Sequence, residues 1–396
     1  MARPADAVSA APNPAESADR QWVERLALTD FRNYVSAKLE LDSRPVVLVG
    51  DNGAGKTNLL EAVSLLAAGH GLRRSSYGEL TRRDASDGWA VAARLHGGGQ
   101  VTEIGTGLAG LEEGASGRRV RIDGRRVSGS GALGQYVRVV WLTPAMDGLF
   151  MGPAGERRRF VDRLVLSLNP TNARENRRFE RAMRQRNRAF ETFERSDALF
   201  EGLEIEIAEA GVAIAAARLD LVMRLMGRIE VRREGAIGGS FPWSKLVLEG
   251  LLEGMLMSAA AVDVEDFYRA RLAETRERDR AAKRTLEGPH RSDLMVEFGP
   301  KSAPARSCST GEQKALLVGL VLAHLELVKD SLAGQSPLLL LDEIPAHLDA
   351  ERRGALFEEI CRLGAQAWMT GTDAGVFAAL GEEAQMITVV DGGIRR

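Results

Sequence analysis

The chain has 396 residues, 44% of them hydrophobic and 27% charged, and 53 Lys+Arg against 55 Asp+Glu leave a formal net charge of −2. This balance excludes a chain disordered throughout and a uniformly basic nucleic-acid coat protein, and its length allows two or three domains with sizeable cores. Two cysteines, Cys308 and Cys361, and five scattered histidines supply neither a disulfide framework nor the ligand spacing of a zinc site.

Residues 1–20 are rich in Ala and Pro, carry several acids and lack an apolar h-region, so they read as a disordered tail rather than a signal peptide. Short strands are expected at 22–28 and 38–48. The apolar run 44–50 (RPVVLVG) has the character of a buried parallel strand and leads into a Gly-rich loop and a helix over 58–67. Strand candidates follow at 89–95, 101–105, 119–122 and 137–142, separated by glycine turns. From 153 to 285 the pattern is helical and densely charged. Strand–helix alternation then returns, with strands at 293–298, 338–342, 366–370 and 386–390 and helices at 311–329 and 350–363. The expected architecture is therefore α/β: one domain, discontinuous over 21–152 and 286–396, with a helical arm inserted at 153–285. No run approaches the ~20 apolar residues of a spanning helix, and the expected location is cytoplasmic.

Gly50-Asp51-Asn52-Gly53-Ala54-Gly55-Lys56-Thr57 matches G-x4-G-K-[ST]. Glycines let backbone N–H groups wrap a phosphate, Lys56 reaches the β/γ-phosphates of ATP, and Thr57 ligates Mg²⁺. The strand before the loop and the helix after it supply the context, and the helix N-terminus adds its dipole. The apolar strand 337–341 ends in Asp342 and Glu343, placing Asp342 at the carboxyl edge of the sheet as a second Mg²⁺ ligand and Glu343 where it can polarise the attacking water. Ser309-Thr310-Gly311-Glu312-Gln313 opens a helix 31 residues ahead of Asp342 and resembles the signature motif of ABC-type ATPases. The bland reading is an ordinary N-cap. In ABC-type heads this motif completes a partner's ATP site, which implies an ATP-bridged homodimer.

Several runs occur in order: Phe31-Arg32-Asn33-Tyr34, the P-loop with Asn52 and Asn58, Arg157-Arg158-Arg159-Phe160-Val161-Asp162, Gln185-Arg186-Asn187, and Gly288-Pro289-His290-Arg291-Ser292-Asp293-Leu294. With the signature and the acid pair, the chain from about residue 22 onward resembles the RecF family of DNA replication and repair proteins. The resemblance implies an SMC-related ABC-type head with a short arm, Arg32, Asn33 and Asn58 at the nucleotide, and Asp349 in a dimer-facing D-loop. It also implies ATP-dependent dimerisation, weak DNA-stimulated ATPase activity, binding to single-stranded and gapped DNA, and action with RecR and RecO to load RecA. The sequence departs from the family pattern at Glu343, usually Asp, and at Ala346-His347-Leu348, usually Ser-Glu-Leu; no Q-loop glutamine follows 137–142, and Thr370-Gly371-Thr372 stands where a switch histidine would. Two rivals are an SMC-like chromosome-organising head, disfavoured by the short arm, and a transporter ATPase subunit, disfavoured by the F-R-N-Y run.

Residues 156–188 hold 11 Arg and four Asp/Glu, a local net charge of +7. Charge runs on helices are usually solvated faces, but here the segment has too few acids to pair its arginines. Arg157, Arg158, Arg159, Arg184, Arg186 and Arg188 are the candidate DNA contacts, led by the phosphate backbone because few aromatics interleave.

Overall fold

The computed structural model describes residues 20–85, 87–109, 118–192, 196–235 and 240–395. The tail expected at 1–20 lies outside them apart from Arg20. Strands β1 (Trp22–Phe31) and β2 (Tyr34–Glu40) form a hairpin, and β3 (Val46–Val49) runs into the glycine loop and helix α1 (Lys56–Ser64). Strands β4 (Gly88–Gly97), β5 (Gln100–Ala109), β6 (Arg119–Ile122) and β7 (Arg125–Val127) extend the hairpin into an antiparallel outer sheet of order β2-β1-β4-β5-β6-β7.

The central sheet is assembled from both ends of the chain. It contains β3, β8 (Val139–Leu142), β12 (Leu338–Leu341), β13 (Ala367–Gly371), β14 (Gln385–Val390) and β15 (Gly393–Arg395), in the order β15-β14-β3-β13-β12-β8. All but β15 are parallel, as the uninterrupted runs VVLV and LLLL require of strands covered on both faces. Alternate residues serve opposite layers. Val46, Leu48, Leu338 and Leu340 pack with Leu59, Leu60 and Val63 of α1 and with the inner face of the outer sheet. Val47, Leu339 and Leu341 pack with helices α8 (Thr310–Ser331) and α9 (Ala350–Leu363).

Between these halves lie α2 (Ala154–Leu168), α3 (Asn172–Glu191), α4 (Asp197–Glu234), α5 (Leu251–Leu256), α6 (Ala261–Glu274) and α7 (Arg276–Ala282). The 38-residue α4 serves two cores. Its N-terminal part (Ile207, Val212) packs with Phe179, Met183 and Tyr268, whereas Leu221, Leu225 and Ile229 join Phe160 and Leu164 of α2 against α8 in the core of the central sheet.

One expected element is different. Residues 244–249, read within a mostly helical stretch, form strand β9 (Ser244–Glu249), paired antiparallel with β10 (Asp293–Phe298) from Glu249↔Asp293 to Ser244↔Phe298; β11 (Ala303–Pro304) flanks β10 on the other side. SKLVLE buries Ser244 and Leu246 while exposing Lys245 and Val247, so its period is 2, and its partner lies about fifty residues downstream where a local pattern does not reach. Among the described residues no helix is long and apolar enough to cross a membrane.

Candidate functional site: the glycine loop and the acid pair

The loop between β3 and α1 is shaped by its glycines. Gly53 has φ 85° and Gly55, the residue capping α1, φ 117°, both in the left-handed region that glycine tolerates. At Gly55 a Cβ would lie 2.6 Å from Tyr34 Oη and 2.7 Å from Asn33 Nδ2, so the loop also sits too close to β2 for any side chain. The F-R-N-Y turn is the brace: Asn33 Nδ2 donates to Ala54 O (3.0 Å), Tyr34 Oη donates to Gly55 O (3.0 Å), and Asn58 Nδ2 donates to Asn33 Oδ1 (2.8 Å). Lys56 is buried and its Nζ donates to the carbonyls of Gly50 (2.7 Å) and Asp51 (2.9 Å), which holds the ammonium over the loop.

Strand β12 delivers the acids. Asp342 Oδ1 accepts from Thr57 Oγ1 at 2.8 Å and from Thr370 Oγ1 at 2.9 Å. Thr370 Oγ1 also accepts from the Glu343 amide (2.8 Å), and Glu343 has φ 57°, a left-handed conformation that a non-glycine residue holds only under constraint. Thr370, on the neighbouring strand β13, thus fixes both acids. Thr57, Asp342 and Glu343 line a cavity of about 1040 Å³, together with Trp141, Arg159 and Arg163. A hydroxyl and a carboxylate oxygen this close, beside loop amides, form the hard-oxygen donor set that suits Mg²⁺.

Arg32, expected at the nucleotide, is engaged along the side of α1. Its guanidinium grips the buried Glu61 of α1 (Nη2–Oε1 2.7 Å, Nε–Oε2 2.8 Å) and Ser75 Oγ (2.6 Å), with Arg73 on the same carboxylate at 3.2 Å. Arg32 therefore braces the side of α1. Arg118 braces its end: this buried guanidinium donates to the carbonyls of Leu65, Ala67 (2.8 Å) and Gly69 (3.1 Å), just past the negative C-terminus of the helix. Burial without a carboxylate pushes its pKa down. Arg118 carries no local sequence signal, and Thr370 belongs to the run at the switch position, where nothing local marks it as the partner of the two acids.

The signature segment is both a cap and an exposed surface. Ser309 caps α8: its Oγ accepts from the Glu312 amide (3.3 Å), while its own amide donates to Glu312 Oε2 (3.0 Å). The Lys301 ammonium, 2.5 Å away, and these bonds hold the Glu312 carboxyl down at about 2. Gln313 Nε2 donates to Cys308 O (2.9 Å). Ser309, Thr310 and Gly311 are exposed, and a Cβ at Gly311 would meet nothing within 4 Å. Asp349 caps α9 through Oδ1, which accepts from the Arg352 amide (2.9 Å).

The six candidate DNA arginines divide. Arg159, Arg184 and Arg188 are exposed. Arg157 forms a two-pronged pair with Asp293 (2.7 Å each), and Arg158 donates to Ser292 O (2.6 Å), so both tie α2 to the start of β10. Arg186 is a correction: it is 0% exposed, bound to Glu204 (3.1 Å), Asp279 (2.7 Å), Thr285 Oγ1 (2.7 Å) and Leu272 O (2.8 Å). Its acids come from α4 and α7, outside the segment whose charge was counted, and no phosphate can reach it.

The parallel sheet, braced glycine loop, paired acids and capped signature helix define a nucleotide-binding P-loop ATPase of the ABC type. Comparison narrows the class. The family model for the RecF/RecN/SMC N terminal domain matches residues 22–395. The DNA replication and repair protein RecF of Mesorhizobium japonicum is 52% identical over 370 residues, 93% of this chain and 96% of that one. RecF of Rhizobium meliloti is 51% identical over 371 residues, 94% and 98% of the two chains. The chain belongs to the RecF family. Its fold superposes on a solved structure of the recombination mediator protein RecF-ATPrS in the RecFOR pathway with a TM-score of 0.80, at 21% identity and covering 95% and 98% of the two chains. An SMC head bound to the C-winged helix domain of ScpA gives 0.52 at 14% identity, covering 94% and 96%.

Proposed function

We propose that this chain is a cytoplasmic, ATP-gated DNA-binding ATPase of recombinational repair and replication restart. In this reading it binds single-stranded and gapped DNA, dimerises on ATP, hydrolyses ATP slowly with stimulation by DNA, and acts with RecR and RecO to load RecA. The names of its relatives support the pathway. The observation that carries the chemistry is Thr370, which fixes Asp342 against Thr57 and presents Glu343 at the same cavity.

Loop amides and Lys56 bind the β/γ-phosphates and orient the terminal one. Thr57 and Asp342 would hold Mg²⁺, which when bound neutralises phosphate charge. Glu343 accepts a hydrogen bond from the attacking water and orients it. Among the described residues Gly311 has no neighbour that demands a glycine, which supports a role for Ser309–Gly311 against a second copy's γ-phosphate. Residues 153–285 serve as the arm, with Arg159, Arg184 and Arg188 as its DNA contacts.

The test compares Glu343→Gln with Asp342→Ala, reading ATP turnover and the dimer fraction with ATP and gapped duplex. Glu343→Gln should bind ATP, lose most turnover and accumulate dimer, whereas Asp342→Ala should fail to close. Parent turnover in Glu343→Gln would move the water-orienting role to another residue.

A further inference from the structure

The outer sheet ends in a second arginine-rich element, outside the arm. Residues 118–127 (RRVRIDGRRV) contain five Arg and one Asp. They fold as the hairpin β6–β7 on a two-residue turn, Asp123 (φ 48°) and Gly124 (φ 75°). Val120 and Ile122 point into the core under the sheet, so Arg119 and Arg121 stand on its outer face, and Arg126 lies directly across from Arg121. Like charges in opposed positions destabilise a strand pair. Among the described residues no carboxylate pairs with Arg121, Arg125 or Arg126, and the Asp123 carboxylate accepts from the Glu103 amide (2.8 Å).

Charged residues on a sheet edge often serve only to block edge-to-edge pairing. That accounts for Arg125 and Arg126 on the edge strand β7. It does not account for Arg119 and Arg121, because β6 is paired on both sides, with β5 and β7. The rows running across the sheet from these two are bare. From Arg121 the row passes Gly105, Ala92 and Ala27 to Lys38; from Arg119 it passes Gly107, Ala90 and Thr29 to Ser36. Gly107 is required, since a Cβ there would lie 2.4 Å from Trp89 O, but the nearest atom to a Cβ at Gly105 is 3.9 Å away. Neither row holds an acid, an aromatic ring or a large apolar side chain.

We infer that this face, with Arg121 and Arg126 as its charged wall, is a second contact surface for the phosphate backbone of duplex DNA. The inference rests on the reading that the chain binds DNA. Arg supplies planar, two-pronged donors for phosphate. A floor of Ala and Gly lets a backbone approach closely. The rows lack rings for stacking single-stranded bases. They also lack the aromatic or aliphatic anchors on which a protein partner's affinity concentrates, which disfavours an acidic protein as the occupant.

The experiment uses the full chain and a gapped duplex, with anisotropy titrations at several salt concentrations. For Arg121→Glu with Arg126→Glu, affinity should fall at least about tenfold, and the slope of log K against log salt should shrink by about two. Arg121→Lys with Arg126→Lys should restore most of the slope, and Arg121→Ala with Arg126→Ala should melt no lower than the parent, separating contact from folding. Parent affinity and slope in the Glu variant would overturn the site and leave edge protection. Loss of an acidic protein partner with DNA binding intact would overturn it in favour of that partner. If the parent itself binds no duplex, the DNA reading fails along with the site; if the parent binds, an Arg184→Glu, Arg188→Glu variant binds more weakly and the hairpin variant binds like the parent, only the hairpin inference fails.

Discussion

Helix α3 and the hairpin β6–β7 have much the same composition, arginines with few acids close in sequence, and opposite electrostatics in the fold. On α3 the acids arrive from elsewhere: Arg178 meets Glu209 (2.9 Å), Arg181 meets Glu206 (2.6 Å), and Arg186 is enclosed by Glu204 and Asp279. On the hairpin, the cross-strand neighbour of Arg121 is another arginine. A local charge count therefore measures the sequence, and only the tertiary partners decide whether a positive charge is spent inside or offered outside. Arg184 and Arg186 show this over two residues of one helix, the first 72% exposed and the second 0%.

The largest effect expected from this contrast is at Arg186. Arg186→Met leaves Glu204 and Asp279 buried without their shared cation, although Arg276 still holds Glu204 (2.6 Å), and should lower stability by about 3–5 kcal/mol, read from the urea midpoint. Replacing Glu204 and Asp279 by apolar residues of similar volume in the same variant should recover much of the loss. An unaltered midpoint in Arg186→Met alone would erase the distinction between the two arginines.

A smaller effect tests a buried basic group that stays neutral. His324 on α8 is fully buried, shares a 2.6 Å hydrogen bond with Ser167, and has its pKa pushed down to about 3 by burial, with the Arg163 charge adding to the shift. The unfolded chain takes up this proton near pH 6.5, the folded chain only near 3. Stability from this group is thus full above about pH 6.5 and is lost as pH falls towards 3, by about 1.4 kcal/mol at pH 5.5. His324→Gln should flatten that part of the stability–pH curve; a curve with the parent's slope would assign the proton uptake to another group.

The smallest effect is at Arg184. Arg184→Ala removes one exposed pair with Glu180 at 3.7 Å and should change stability by no more than about 0.5 kcal/mol. A loss comparable to that of Arg186→Met would show that the exposed face also carries structural load.

What could be read from the chain was what chemistry compresses into short runs. The glycine loop, the acids after 337–341 and the Ser309 cap each lie within eight residues, and their neighbours in the fold are those the motifs call for. The discontinuous α/β head was legible because buried parallel strands are apolar without alternation, as in VVLV and LLLL. Strand β9 was missed because its partner is β10, across the intervening helices. Arg118 was missed for the same reason, reaching α1 from the outer sheet, and Thr370 was read in the switch run but not as the partner of the acids, which it reaches sideways from the next strand. Arg186 was misplaced because its acids lie 18 and 93 residues away.

The Arg118 clamp has a mechanical side. Helix α1 has nine residues, a rod of about 13.5 Å, with the glycine loop at one end and Arg118 at the other. Arg118 immediately precedes β6, so the rod is hinged to the strand that carries Arg119 and Arg121. A small tilt of α1 at the loop would load the guanidinium at this end as well as the grip of Arg32 and Arg73 on Glu61 at its side. The hairpin is thus one bond away from the end of the helix that follows the glycine loop, and a fluorophore on its Gly124 turn would test whether that load reaches it.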